Sequence, residues 1–361
     1  MEGYLNVSEA AKLLGVNTET LRRWDKSGKF TSSRNPINNY RVYNIEKVHH
    51  FIKEIQLQLE FGTKIKEVEK ENRNIPFFET QHGALYNLDA IAFLKAIDNE
   101  SIDLIFADPP CNIKKAEWDS FASQQQYVEW SLRWIKEAHR ILKPTGTLYV
   151  CGFSEILADI KWAANHLFKG CKWLVWYYRN KANLGNDWGR SHESLLHFRK
   201  SKQFISNIDN VRIPYNAHTL KYPKRPQAQT SQYNNGKDKK YIWEPNPQGA
   251  KPKDVFEIPT LSNGSWEKTN HTTQKPIELV KKCILASSNP GDIVVDPFGG
   301  SGTTYAVAEA FNRKWLGTDL NKEYCEISKK RLLDKNHIAR ISSGKDEAEA
   351  LERRKKLRTI Q

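Results

Sequence analysis

The sequence predicts an α/β fold in which a doubly wound, largely parallel sheet follows a small helical unit. From about residue 78 onward, short apolar runs alternate with helical stretches, as strands and covering helices do when a sheet is buried on both faces. The candidate strands are residues 102–107, 147–151, 173–178, 293–295 and 315–317, and the clearest candidate helices are residues 127–142 and 304–311. This alternation is the main observation behind the fold class.

Composition and charge limit the kinds of binding partner that we expect. The 361 residues carry 56 Lys and Arg against 42 Asp and Glu, a net charge of +14. Such an excess favours a polyanionic partner, nucleic acid first, with a merely soluble basic protein as the alternative. The cysteines lie far apart, without a CxxC pair or zinc-finger spacing, so we expect neither a disulfide nor a metal. Without a signal-peptide pattern or an apolar run of membrane-spanning length, we expect a cytoplasmic protein and no membrane partner.

The first unit, residues 1–57, has the pattern of two short helices around a tight turn. Ser8 is the expected N-cap of the first helix, and Gly15 is its expected end. Asn17 is expected to cap a second helix that stops at Gly28. Two such helices around a Gly-Val-Asn turn are typical of a helix-turn-helix.

A hairpin wing and a third helix follow in the same unit. Turn residues within 32–44 precede alternating apolar positions, and an amphipathic stretch begins at residue 45. This order resembles the MerR and excisionase-like DNA-binding domains. The resemblance implies that the second helix enters the major groove, and it marks as candidate DNA contacts Thr18, Thr20, Arg22 and Arg23. The alternative is a helical pair that only caps the larger domain. Residues 58–77 are polar and charged and predict a helical linker.

A glycine-rich turn near the end of the α/β region predicts a ligand site. A buried strand ends at Asp296, the turn "PFGGSG" follows, and a helix opens at Thr303. A ligand of a doubly wound sheet binds past the carboxyl end of such a strand, where glycines let the backbone approach it. The turn is not GxGxxG and lacks the lysine of a P-loop, so a dinucleotide or ATP is the weaker interpretation. The next strand ends at Asp319, which could hold two ribose hydroxyls.

Four segments together resemble the amino-group DNA methyltransferases. "NLDAIAFL" resembles their motif III, "ADPPCN" their catalytic motif IV, "HTTQKP" motif X and "DPFGGSGTT" motif I. Their order along the chain is the permuted order of the beta class. The resemblance implies a Rossmann-like, S-adenosylmethionine-dependent methyltransferase domain over residues 78–361.

The resemblance also implies a set of cofactor contacts. They would be Asp89, Ala90, Asp108, Thr273, Lys275, Pro276, Asp296, Pro297, Phe298, Gly299, Gly300, Ser301, Gly302, Thr303, Asp319 and Leu320. Asp319 would bind the ribose of the cofactor, and Asp89 would contact its adenine side. The structural alternatives are ordinary turn residues for Asp296 and Asp319, a core position for Phe298, and helix N-terminal chemistry for Lys275 and Pro276.

The Asp-Pro-Pro segment, Asp108 to Pro110, suits methylation of an amine. The exocyclic nitrogen of adenine or cytosine is a poor nucleophile because its lone pair is delocalised into the ring. The Asp108 carboxylate would accept one of its N–H groups and the Pro109 carbonyl the other. These two hydrogen bonds would draw the nitrogen towards tetrahedral geometry. Because proline restricts the backbone, the two prolines would aim that carbonyl. No covalent intermediate is required.

Cys111 departs from the family pattern, whose fourth residue here is an aromatic ring that stacks on the extruded base. Cytosine carbon-5 methyltransferases use a Pro-Cys nucleophile, but they carry a Glu-Asn-Val segment and place the glycine motif first. This chain has neither feature. We therefore interpret Cys111 as a bystander lining the site rather than a nucleophile. Trp118 or Phe121 is the expected source of the missing ring.

A basic insert, residues 199–262, is the candidate target-recognition region. Between residues 199 and 255 there are 12 Lys and Arg against 4 Asp and Glu, interleaved with aromatic side chains, and the segment is expected to be loop-rich rather than sheet. Its candidate phosphate contacts are Lys224, Arg225, Lys239 and Lys240. The alternative is a surface loop with solvated charges.

The sequence thus predicts a site-specific DNA methyltransferase that transfers a methyl group from S-adenosylmethionine to adenine N6 in duplex DNA by base flipping. Asp-Pro-Pro, rather than Ser-Pro-Pro, favours adenine over cytosine N4, which is the first alternative. The second alternative is a DNA-binding regulator whose methyltransferase domain is degenerate. Double-stranded DNA is the expected partner, and a homodimer and a cognate restriction endonuclease are left open.

Overall fold

The computed structural model describes residues 3–28, 30–36, 38–52, 75–110, 121–179, 188–223, 225–226 and 242–344. The chain divides into two compact units, Met1–Asn74 and Ile75–Gln361. The expected linker, residues 58–77, lies outside the described residues except at 75–77.

The first unit is a three-stranded antiparallel sheet with helices. Its elements are β1 (Tyr4–Asn6), α1 (Val7–Leu13), α2 (Thr18–Lys26), β2 (Ser33–Arg34), β3 (Arg41–Asn44) and a helix over residues 45–52, α3. The strand order is β1-β3-β2, so the expected hairpin wing is present with β1 added to it. Ala10, Leu21, Tyr43 and Val48 are buried together and form the core.

The cap of α1 differs from the expectation. Asn6, not Ser8, is the N-cap: its side chain accepts hydrogen bonds from the backbone N–H groups of Ser8 and Glu9, and the Glu9 carboxylate accepts the Asn6 N–H in return. Since β1 already holds Asn6 in extended backbone, this reciprocal capping box forms two residues earlier, with Ser8 inside the helix. The predicted cap of α2 is confirmed, because Asn17 Oδ1 accepts the Thr20 N–H at 2.7 Å.

The second unit is built on one sheet of nine described strands in the order β12-β8-β9-β7-β6-β13-β14-β5-β4. Its strands, with a separate short pair β10 and β11, are β4 (Phe78–Glu79), β5 (Gly83–Tyr86), β6 (Ile102–Ala107), β7 (Leu142–Gly152), β8 (Gly170–Tyr177), β9 (His192–Arg199), β10 (Arg225–Pro226), β11 (Ile242–Trp243), β12 (Val255–Glu257), β13 (Ile293–Asp296) and β14 (Lys314–Thr318). All five strands expected from the sequence are present; β6 has the expected bounds, and the other four have shifted ends.

Helices cover both faces of this sheet. They are α4 (Ala90–Lys95), α5 (Gln124–Ile141), α6 (Ser154–Ala164), a 3₁₀ helix at Ile208–Val211, α7 (Ala217–Lys221), α8 (Ile277–Ser287), α9 (Thr303–Ala310), α10 (Lys322–Leu333) and α11 (Lys335–Ser343). One apolar cluster contains Tyr305 and Trp315, and the other contains Trp134 and Phe198. Two cores on one sheet confirm the doubly wound α/β class. Within the part of the chain that the structure describes, no helix has the length and apolarity needed to cross a membrane.

The sheet is mixed rather than largely parallel. Strands β7, β6, β13, β14 and β5 are parallel, whereas β9 runs antiparallel to both β7 and β8. The sequence reasoning missed β9 because polar residues interrupt its apolar run. It also assigned residues 255–257 to the loop-rich insert, although β12 pairs with β8 in the main sheet. This strand is short and partly exposed, so it leaves no periodic pattern to detect.

Candidate active site

The parallel strands bring their carboxyl ends to one edge of the sheet, and a cavity of about 1080 Å³ lies there. Asp108 follows β6, Asp296 ends β13 and Asp319 follows β14, and all three line this cavity. Of the residues expected to contact the cofactor, all line it except Pro276 and Gly302. The fold therefore gathers four segments that are far apart in the chain.

Asp108 forms an ion pair with a residue of the segment before α8. Its Oδ2 accepts a hydrogen bond from Lys275 Nζ at 2.7 Å. Its Oδ1 also lies 2.7 Å from Nζ, is buried, and accepts no hydrogen bond from the described residues. Lys275 was expected among the cofactor contacts, and its pairing with Asp108 was not anticipated.

The two prolines after Asp108 line the cavity, and the second is fixed by a neighbouring helix. The Tyr127 hydroxyl, on α5, donates a 2.6 Å hydrogen bond to the Pro110 carbonyl. Cys111 and Trp118, which the sequence analysis weighed as bystander and stacking ring, lie outside the described residues.

The glycine-rich turn is fixed by buried hydrogen bonds from Asp296. Its carboxylate accepts the Phe298 N–H at 2.9 Å and the Thr304 hydroxyl at 2.5 Å. Burial raises the pKa of Asp296 to about 7, against the lowering effect of these donors. Gly300 has a φ of +49°, and a Cβ there would lie 2.9 Å from His271 Nε2. The turn thus needs glycine both for its backbone and for its close packing.

Two further carboxylates act as local anchors at the cavity wall. Asp319 accepts the backbone N–H groups of Gly300 and Asn321, each at 2.8 Å, and burial raises its pKa. Asp89 caps α4 by accepting the N–H groups of Ile91 and Ala92. Asp319 therefore has the structural role that was its alternative, Asp89 is a helix cap, and both residues also line the cavity.

Arg331, on α10, is a buried cation under the turn that sequence reasoning missed. It donates to the Ser301 carbonyl at 2.9 Å, to the Thr303 hydroxyl at 2.8 Å and to the Glu267 carbonyl at 2.6 Å. Burial lowers its pKa to about 10. It links the glycine turn to the segment that carries Lys275, and a lone arginine in an amphipathic helix gave no sign of this.

His271 was quoted in motif X but given no role. It is buried, and its Nδ1 accepts the Thr273 N–H at 3.3 Å while its ring packs edge-on against Tyr324 at 4.5 Å. Burial lowers its pKa to about 4, so the imidazole is neutral at pH 7.

Aromatic rings line the remainder of the cavity. They are Phe106, Phe121, Trp130, Phe153, Trp176, Tyr178 and Tyr324, with Phe298 on the glycine turn. Phe121, an expected stacking ring, lies 5.0 Å from Tyr127 and 5.2 Å from Trp130 between ring centroids. Trp176 and Tyr178, at the end of β8, were not anticipated because they appeared to be ordinary strand residues.

The candidate DNA contacts are only partly described. Arg22 and Arg23 are exposed on α2, and Arg22 pairs loosely with Glu19 at 3.5 Å. Thr18 and Thr20 are half-buried on the same helix. In the basic insert, Lys224, Lys239, Lys240 and the side chain of Arg225 lie outside the described residues.

The residues present fit S-adenosylmethionine. The cavity is large enough for a nucleoside with an amino-acid tail, since ligand pockets typically hold about 300–1,000 Å³. The glycine at position 300 lets the turn pack directly against His271 at the cavity wall. Carboxylates at two strand ends can accept hydroxyl and amino hydrogens of a nucleoside. These features define a nucleoside-binding site of the S-adenosylmethionine-dependent methyltransferase class.

Comparison with known proteins gives the family. Residues 102–330, more than half of the chain, match the model of the N6/N4 "DNA methylase" family. Residues 6–43 match the model "MerR family regulatory protein". The protein belongs to the N6/N4 DNA methylase family: it is a DNA methyltransferase that uses S-adenosylmethionine, as the sequence predicted.

Individual relatives support this assignment. The type II methyltransferase M.HpaI of Haemophilus parainfluenzae is 36% identical over 68% of this chain and 72% of its own length. The DNA adenine methyltransferase YhdJ of Escherichia coli K12 is 35% identical over 70% of this chain and 83% of its own length. The solved PvuII DNA methyltransferase (cytosine-N4-specific) aligns with a TM-score of 0.55 at 22% identity, over 74% of this chain and 94% of that one. This last likeness shows the fold alone.

Proposed function

We propose that the enzyme methylates adenine N6 in duplex DNA after extruding the base from the helix. The observation that carries the proposal is the Asp108 carboxylate, followed by two prolines, in a cavity shared with the glycine turn. The relative named as a DNA adenine methyltransferase supports the choice of base. Cytosine N4 is the alternative target, because the same carboxylate could orient either amine.

The proposed chemistry is one of orientation. Bound S-adenosylmethionine supplies a methyl group that its sulfonium charge has already activated. Asp108 accepts one N–H of the target amine, and the Pro109 carbonyl accepts the other, so that the nitrogen lone pair points away from the ring. Both oxygens of the Asp108 carboxylate lie 2.7 Å from Lys275 Nζ, and their further lone pairs can accept the N–H of the base. The Tyr127 bond to Pro110 holds the segment in place.

The aromatic wall of the cavity is the proposed seat of the extruded base. Stacking on an aromatic side chain is worth about 1–3 kcal/mol per base. Phe121, Phe153 and Tyr178 line the cavity and are candidates to replace the ring that the family has at position 111. The proposed role of Cys111 is still that of a bystander.

We also propose that the first unit binds DNA through α2 and that residues 199–262 read the target sequence. The proposed boundaries are residues 1–57 for the DNA-binding domain, 58–77 for the linker and 78–361 for the catalytic domain. Exposed Arg22 and Arg23 supply phosphate contacts in this scheme. A homodimer and a cognate restriction endonuclease are proposals that sedimentation and plasmid-restriction assays would test.

The decisive experiment measures which base is methylated. Sequencing of DNA from an expressing host identifies the modified site, and hydrolysis of tritium-labelled DNA then separates N6-methyladenine from N4-methylcytosine. We expect the label in N6-methyladenine. Label in N4-methylcytosine would make cytosine the target in place of adenine. Absence of label, from a protein that is folded and binds DNA, would favour the degenerate regulator.

A separate experiment addresses Cys111. A cysteine nucleophile would be trapped as a covalent adduct on DNA that contains fluorocytosine, and Cys111→Ser would be inactive. We expect no adduct and most of the activity in Cys111→Ser. Cys111→Tyr is expected to bind the extruded base at least as well as the wild type, because it restores a stacking ring. A trapped adduct would overturn amine methylation as the reaction.

A further inference from the structure

Lys275 lies between two carboxylates in the wall of the cavity. Its Nζ is 2.7 Å from Asp108, which follows β6, and 3.5 Å from Glu193 Oε2 on β9. The three side chains are largely buried, with 9%, 19% and 20% of Lys275, Asp108 and Glu193 exposed. All three line the cavity of the active site. One ammonium group thus serves two carboxylates in a partly desolvated place.

The two ion pairs are unequal. The contact with Asp108 has hydrogen-bond length, whereas 3.5 Å to Glu193 is longer than the 2.7–3.2 Å of an ordinary N–H···O bond. A lysine ammonium has three donor hydrogens, so it can bond to both carboxylates or move closer to either one. Because Coulomb attraction is stronger where water is partly excluded, Glu193 still attracts Lys275 at 3.5 Å, although Lys275 lies closer to Asp108.

This geometry matters for the proposed role of Asp108. A carboxylate that is held tightly by an ammonium group has less negative charge to offer to the N–H of the target amine. A second carboxylate within reach provides Lys275 with another partner when Asp108 turns to the base. The proton stays on Nζ throughout, and no bond to carbon is made or broken by these groups.

We propose that Glu193 is a positioning residue that holds Lys275 while Asp108 engages the target amine. The inference rests on the proposed function, because it assumes that Asp108 orients the amine. Glu193 itself acts through Lys275 and forms no part of the reacting atoms.

The primary test is Glu193→Gln, which removes the charge and keeps the shape. Lys275 then has Asp108 as its remaining carboxylate, so we expect the single-turnover rate of methyl transfer to fall roughly 10-fold, less than the 10²–10³-fold typical of a group that acts directly. The measured dissociation constant for S-adenosylmethionine should change less than about 2-fold. Glu193→Asp keeps the charge and is expected to recover most of the rate. If Glu193→Gln does not fold, Glu193→Ala serves as the test variant, with the same expected fall in rate.

Glu257→Gln is the matched control. Glu257 lies on β12 of the same sheet, pairs with Arg179 at 3.7 Å, is 29% exposed at the side chain and does not line the cavity. The same loss of a half-buried charged partner should leave the rate unchanged there. A similar fall in both variants would attribute the effect to general loss of charge and overturn the proposal.

A double-mutant cycle with Lys275→Met identifies the route of the effect. Without the ammonium group there is nothing for Glu193 to hold, so adding Glu193→Gln should change the residual rate less than about 2-fold. An equal loss in both backgrounds, or a full rate in Glu193→Gln alone, would overturn the inference. The rates are measured on whichever base the wild type methylates, so a cytosine target would revise the proposed function without touching this result. A wild type that methylates no DNA would overturn both.

Discussion

Two neighbouring strands end in a carboxylate at the same cavity, and the two carboxylates have opposite surroundings. Asp108 follows β6 and faces Lys275, while Asp296 ends β13, which pairs with β6 in parallel. Asp296 is buried among a hydroxyl and a backbone N–H, without a cation beside it among the described residues. Only the first has an ion pair to compensate its charge.

The difference indicates that position at a strand end does not fix the task of an acidic residue. The Lys275 ammonium compensates the negative charge of Asp108 through an ion pair, and a carboxylate there can accept an N–H from a substrate. Burial raises the pKa of Asp296 to about 7, so that residue is suited to holding the glycine turn by hydrogen bonds. In the proposed function, catalysis and support of the glycine turn are thus separated between two adjacent strands.

Asp108→Ala is the most direct test of the role assigned to Asp108. If Asp108 orients the target amine, the rate of methyl transfer should fall at least about 100-fold, as for other groups that act on developing charge. Calorimetry should show nearly unchanged affinity for S-adenosylmethionine, because Asp296 and the turn remain. Full activity would refute the assignment, and lost cofactor binding would move Asp108 to the supporting role.

The next effect is expected at the turn itself. Gly300→Ala places a Cβ 2.9 Å from His271 Nε2 on a backbone with φ of +49°, so affinity for S-adenosylmethionine should fall about 10-fold or more. Gly291→Ala is the control, since its φ of +86° gives similar strain but no atom lies within 4 Å of the new Cβ. If both variants bind the cofactor equally well, close packing at position 300 is not required.

Asp296→Asn tests the surroundings of Asp296 through the pH dependence of stability. The pKa of Asp296 is about 7 in the folded protein, above its ordinary 3.8, so the unfolded chain loses this proton first as pH rises. Wild-type stability should therefore decrease between pH 4 and 7, by at most about 1.4 kcal/mol per pH unit from this group, and then level off. Denaturant titrations at several pH values should show this slope reduced in Asp296→Asn. An unchanged slope would assign it to other groups.

The smallest effect on the chemistry is expected from the first unit. Arg22→Ala with Arg23→Ala should weaken DNA binding and reduce its salt dependence by about one unit of slope per lost phosphate contact. Methylation should persist at high enzyme concentration, because neither side chain belongs to the catalytic unit. Binding measured by fluorescence anisotropy at several salt concentrations gives the slope. An unaltered slope would mean that these arginines do not touch the duplex backbone.

The sequence predicted what depends on local pattern. Asp108, Asp296 and the glycine turn were found because apolar strands, strand-end acids and glycine spacing are short-range features. The cap at Asn17 was found for the same reason, whereas the cap at Asn6 was missed because β1, only three residues long, gave no signal of its own.

The missed features all depend on contacts between segments that are far apart in the chain. Lys275 is 167 residues from Asp108 in the chain, and the sequence around either residue does not indicate that the two are in contact. Glu193 is on β9, whose antiparallel course follows from its pairing with β7 and β8 rather than from its composition. Arg331 is a buried cation in a helix whose pattern is that of a surface helix, and its partners are backbone carbonyls of distant segments.

The position of β13 between β6 and β14 has a consequence for how the protein is made. Strand β6 cannot pair with β13 until residues 293–296 have left the ribosome. At 5–20 residues per second this happens roughly 10–40 s after residue 107 has been synthesised. The helix-turn-helix pattern is complete by residue 52 and can fold long before that. During the interval the flank of β6 that later pairs with β13 offers open backbone hydrogen-bonding groups, the kind of surface on which nascent chains associate wrongly. Synthesis that stalls before residue 293 should therefore yield a folded N-terminal unit attached to an aggregation-prone half-sheet.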